Sequence, residues 1–228
     1  MDGRLSRTGA GGGENPGPTS ERGLTTSLER ATYNITEDQL KYMVLEQGDF
    51  FGEFADFRVA REGPLDNRTM ASRGFPGSTE ERFQRAGRIN GYMRELAPNR
   101  PRMDQDGTSF VAATVAHLFD TAGSVEGWMR EVFLSDFAEN VGRDVGRGQT
   151  LVAVEELEPS SFFDQAVALK AVHDNQGSLV SSTVVDFRVG RLLGVAFVGV
   201  VGDHARLDQA SELGIALERR IVSVVLGA

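Results

Sequence analysis

The chain has 228 residues, with 33 acidic against 24 basic side chains, a net charge of −9 and no cysteine. Nucleic-acid binders need a basic face to displace counterions, so this balance argues against them. The lack of cysteine excludes disulfides, thiolate metal sites and cysteine nucleophiles. No run of 18 apolar residues is present, so no segment reads as a transmembrane helix. Hydrophobic residues at 40% and charged residues at 25% are ordinary globular values, and the length suits one domain with its own core. All the basic residues except Lys41 and Lys170 are arginine. Arginine suits bidentate anion recognition, but GC-rich codon usage produces the same bias.

Residues 1–32 are rich in Gly, Pro, Ser and Thr and bury too little to offset their ordering entropy, so they are expected to form a flexible tail. The folded domain is placed at 33–228. The opening stretch has no apolar central segment and does not read as a signal peptide as it stands. "ITEDQLKYMVLEQ" reads as a short amphipathic helix, with Thr36 as its N-cap and Leu40, Met43 and Val44 on one face. "FFGEFADFRVAREG" is aromatic-rich and irregular, and residues 60–77 read as loop because of Gly63, Pro64, Gly74, Pro76 and Gly77.

In "STEERFQRAG", Ser78 and Glu81 have capping-box spacing, which predicts a helix over 79–86. Gly87 ends it, and Gly91 is expected to let a strand begin at Tyr92. "GTSFVAATVAHLF" predicts a strand over 108–119, with Val115, His117 and Phe119 on one face and Ala112, Thr114 and Ala116 on the other. Both faces are apolar, so both are expected to be covered. "SVEGWMREVFLSDFAENV" is the clearest helix, with Val125, Trp128, Met129, Val132, Phe133 and Phe137 forming an apolar stripe. Four strand-like runs follow, from "TLVAVEEL" to "LLGVAFVGVV", the last two joined by a tight turn at Gly190-Arg191. "DQASELGIALERRIVSVV" closes the chain as a helix, with Asp208 as a candidate cap. Strands in hairpins with helices interspersed predict an α+β fold, a mostly antiparallel sheet packed by amphipathic helices.

The residues offer little chemistry. His117, His173 and His204 lack metal-ligand spacing, and His117 reads as a core or rim histidine. There is no GxSxG elbow, Walker A sequence or GxGxxG motif. Glu155 and Glu156 point to opposite strand faces, so the "EELE" run reads as a solvated edge. No catalytic residue, metal site or cofactor is assigned. The one candidate ligand-binding set is Arg85, Arg88, Tyr92 and Arg94, a basic cluster with one aromatic that would suit an anionic or polar-headed ligand. The bland alternative is exposed arginines pairing with Glu80, Glu81 or Glu95.

The order of "GRINGYMREL", "HLFDTAGSVEGWM", "FFDQAVALKAV" and the hairpin "VVDFRVGRLLGVAFVGV" resembles a diffuse group of bacterial exported lipoproteins and sensor-type domains. LpqN-type lipoproteins of mycobacteria and the extracellular domains of receptor kinases are similar in style, over about residues 36–223. The chain departs from the lipoproteins in lacking a lipobox cysteine. The resemblance implies an antiparallel sheet flanked by helices and an extracytoplasmic, surface-tethered or periplasmic setting. It also implies a non-enzymatic role in binding a small-molecule or lipid-like ligand. A hydrolase with an unrecognised site and a protein-interaction module are the alternatives.

Overall fold

The computed structural model describes residues 27–100, 105–146 and 148–228. Seven strands form one sheet: β1 (Phe57–Pro64), β2 (Arg88–Pro98), β3 (Ser109–Phe119), β4 (Gln149–Leu157), β5 (Ala166–Asn175), β6 (Ser178–Val189) and β7 (Leu192–Val201). Their order is β1-β2-β3-β7-β6-β5-β4, and every neighbouring pair is antiparallel. After β3 the chain crosses to the far edge, then returns as a β4–β7 meander that closes against β3. The α+β expectation is met.

The crossing segment is helical: α4 (Ala122–Gly127), a π-helical stretch (Trp128–Leu134) and α5 (Ser135–Glu139). The Thr121 side chain caps its start by accepting from Ser124 N–H at 3.1 Å. The predicted stripe is present, with Val125, Trp128 and Met129 buried. The other face of the sheet carries α6 (Leu207–Leu226). Its Ala210, Leu213, Leu217 and Ile221 are fully buried against strand residues including Ala196, Val185 and Val198. Each Leu or Ile contributes about 1.5–3 kcal/mol on burial. Period-2 alternation thus splits each central strand between two cores, and both faces are covered.

Several predicted boundaries move. Residues 60–77 hold most of β1 and α2 (Asn67–Arg73) rather than a loop. β1 is an edge strand stabilised by cross-strand pairs such as Arg61–Glu95 at 2.6 Å, and its charges hid it. α2 is capped by Asp66, which accepts from Thr69 N–H at 2.7 Å. The helix expected at 79–86 is α3 (Glu80–Arg85). Its cap is Thr79, accepting from Arg82 N–H at 3.1 Å, in place of Ser78. β2 begins at Arg88 rather than Tyr92, so Gly91 lies within the strand. The segment after Thr36 is a 3-10 helix (Glu37–Tyr42), and Leu40, Met43 and Val44 are buried as its pattern predicts. Asp208 sits in the first turn of α6, where it faces the helix dipole, but does not cap it.

Most of the expected tail lies outside the described residues. Residues 27–32 form a short helix, α1, and Thr32 at its end is fully buried. Arg191 in the β6–β7 turn ties it down, donating to the carbonyls of Thr32 at 3.1 Å and Ile35 at 2.9 Å. Gly190 supplies the positive φ of 57° that this turn needs.

Candidate functional site

Between the sheet and the layer of α2, α3, α4 and α5 lies a cavity of about 440 Å³. Its floor is one strand face read across the sheet: Val115 and His117 of β3, Val195 and Phe197 of β7, Ser182, Val184 and Asp186 of β6, and His173 of β5. Its roof is Met70 and Arg73 of α2, Phe75 and Ser78 of the following loop, Phe83 of α3, and Trp128, Val132, Phe133, Asp136 and Phe137 of the crossing helix. The π-helical stretch is part of this roof. Such stretches widen the turn and recur at functional sites.

The roof is an aromatic network. Trp128 packs on Phe83 and Phe119 with centroids 5.2 and 5.4 Å apart. Phe137 meets Phe75 and Phe133 edge-on at 4.9 and 5.5 Å. Asp136 is held from α3 by both Arg82 guanidinium nitrogens, at 2.6 and 2.8 Å. That pairing draws the Arg82 pKa upward.

His117 forms one corner. Arg88 Nε donates to its Nδ1 at 3.2 Å, Arg88 Nη1 donates to Asn67 Oδ1 at 2.6 Å, and Arg88 Nη2 donates to the Leu65 carbonyl. Asn67 answers by donating to the Arg88 carbonyl at 2.9 Å. Burial pulls the Arg88 pKa down to about 9, with Asp66 opposing. Burial first, and Arg88 second, hold His117 well below the usual histidine range. The ring is therefore neutral, and because Nδ1 accepts, its proton is on Nε2. A general-base histidine has an acid behind its ring; here a cation stands in that place. The histidine–carboxylate contact among the described residues is His204–Asp106 at 3.0 Å, outside the cavity.

Asp186 is different. It is 2% exposed, and its Oδ1 has no hydrogen-bond partner. Its in-register neighbours are Val167 on β5 and Val195 on β7. Burial alone lifts its carboxyl well above the usual carboxylate range. Arg188, two residues along the strand, is engaged by Asp164 at 3.0 Å instead. The Ser78 hydroxyl, across the cavity, is also buried without a partner. Buried polar groups in folded proteins are nearly always satisfied, so two unsatisfied ones lining a single cavity single it out.

The set Arg85, Arg88, Tyr92 and Arg94 does not meet in one place. Arg85 is exposed at the end of α3. Arg88 is the buried anchor of His117. Tyr92 and Arg94 face the opposite side of the sheet, where Tyr92 packs on the α6-side core. Arg94 donates to Glu62 at 2.6 Å and to the Leu45 carbonyl at 2.8 Å. Sequence reasoning passed over Asp186. The signal was an acid in mid-strand, in "STVVDFRV", with apolar residues on both sides.

No family model matches the chain, and no curated protein matches it. Among solved structures, the extracellular domain of PknH from Mycobacterium tuberculosis is similar, with a TM-score of 0.54 and 7% identity. The match covers 82% of this chain and 96% of that one. The Rv0999 ortholog from Mycobacterium smegmatis matches with a TM-score of 0.39 and 12% identity, over 77% of this chain and 91% of that one. At 7% identity the likeness to the PknH domain is one of fold.

Proposed function

We propose that this is a non-enzymatic ligand-binding domain of sensor type, working outside the cytoplasm, and that the cavity between the sheet and the crossing helix is its ligand seat. The observation that carries the reading is the cavity itself. About 440 Å³ lies within the ordinary range for small-molecule sites, which are apolar with a few polar groups that fix orientation. Aromatic and aliphatic side chains supply the walls, and Asp186, Ser78 and His117 supply the polar points. The shared fold with the PknH extracellular domain supports a sensor-type, extracytoplasmic setting. Arg88 enters the reading as the residue that fixes His117.

The uncharged fluorophore N-phenyl-1-naphthylamine tests it. One molecule per chain is expected to bind with a saturable rise in emission. Val184→Phe on the floor, or Val132→Phe on the roof, fills the cavity and abolishes the rise. No saturable binding, or equal binding to folded forms of both filled variants, overturns the reading.

A further inference from the structure

We infer that the cavity selects an apolar molecule carrying one basic amine, whose N–H groups are received by Asp186. The inference rests on the ligand-binding reading above and adds the chemical class of the ligand.

The cavity has apolar walls, so an entering cation must find a counter-charge inside. Two acids line it. Asp136 is already taken by the two-pronged contact with Arg82. Asp186 is free to serve: it is buried, its Oδ1 lacks a donor, and both in-register strand neighbours are valine. An unpaired acceptor in an apolar surround gains most from a charged donor. A carboxylate ligand would face Asp186 as a like charge. An alcohol would offer a donor without the charge. The chain's net charge of −9 also draws cations toward it over long range.

The remaining titratable and charged groups lining the cavity are His117 on β3, His173 on β5, Asp136 on α5 and Arg73 on α2. Both histidines are pushed toward the neutral form by burial, and Arg73 is exposed to solvent at the rim. Arg188 on β6 stays with Asp164. Asp186 is thus the group left to answer the charge of a cationic ligand. Burial raises the pKa of its carboxyl, so a cation beside it relieves the cost of carrying its charge there. With an ammonium ligand seated, the complex contains an ammonium–carboxylate pair, and any proton on the Asp186 carboxyl leaves to solvent.

Calorimetry with octylamine, octan-1-ol and octanoate at neutral pH tests this. Octylamine is expected to bind at least about tenfold tighter than either of the others, the worth of one charge-assisted contact in a dry site. In D186N, octylamine falls to within about threefold of octan-1-ol on the same variant, since that contact is gone. The wild-type comparison stands alone if D186N does not fold. Equal affinities, tighter octanoate, or an unchanged preference in folded D186N overturns the amine assignment while leaving an apolar ligand seat in place. Binding of none of the three overturns both readings.

Discussion

Gly91 on β2 lies directly opposite His117 on β3, and the Arg88 guanidinium occupies the space a Gly91 side chain would need. A Cβ there would run into His117 Nδ1 and, at 2.7 Å, into Arg88 Nη2. The glycine is therefore a packing requirement of the Arg88–His117 contact, in the middle of a strand that otherwise favours larger residues. Gly91→Ala should destabilise the protein by about 1–3 kcal/mol, the usual cost of overpacking. Gly127→Ala, where nothing lies within 4 Å, should be neutral or stabilising by up to about 1 kcal/mol. Urea unfolding of the two variants side by side checks the contrast.

Arg88 and Arg85 lie three residues apart and should behave oppositely. Arg88→Ala leaves His117, the Asn67 side chain and the Leu65 carbonyl without their donor. Each abandoned buried group costs about 1–3 kcal/mol, so the loss should exceed about 3 kcal/mol. Arg85→Ala, at an exposed helix end, should stay within about 0.5 kcal/mol. Thermal unfolding monitored by circular dichroism reads both. Similar effects for the two would mean that Arg88 is hydrated and does not anchor His117.

The outline of the fold was legible because it depends on periodicity, which survives in a single sequence. β3, the turn at Gly190 and the buried faces of α4 and α6 all follow from spacing 2 or 3–4 apolar patterns. β1 and α2 were missed because an edge strand carries charges on its exposed side, and because Gly63 and Pro64 mask the Asp66 cap. The cavity was less legible. It is built where β3, β5, β6 and β7 meet a helical layer assembled from sequence-distant pieces, and no local pattern records that meeting. The arginine cluster drew attention through proximity in sequence, yet β-strand alternation sends Arg94 and Tyr92 to one face of the sheet while Arg88 serves the other. Asp186 carried a readable signal, an acid in an apolar strand, which becomes specific only once both flanking strands are known to present valine.

Asp186 also makes stability depend on pH. Its pKa is raised in the folded protein, so above the ordinary carboxylate range the unfolded chain has lost a proton that the folded one keeps. Stability contributed by the protonated group is therefore present at low pH and is lost as pH rises from about 4 toward the folded-state pKa, by at most about 1.4 kcal/mol per pH unit. Asp186→Asn removes this dependence. The variant should melt higher than the parent at pH 7.5, and the gap should close toward pH 4. Differential scanning calorimetry across that interval measures it. A gap independent of pH would mean that Asp186 is ionised in the folded state.

The most direct measurement uses Trp128, the single tryptophan of the chain, which lines the cavity at 5% exposure. Titration with octan-1-ol should shift its emission saturably, with one molecule bound per chain, and raise the melting temperature as ligand linkage requires. Both responses should vanish in Val184→Phe, whose added ring fills the floor opposite Trp128. A Trp128 emission that stays unchanged to saturating octan-1-ol, or that shifts equally in the folded Val184→Phe variant, would contradict the placement of a ligand in this cavity.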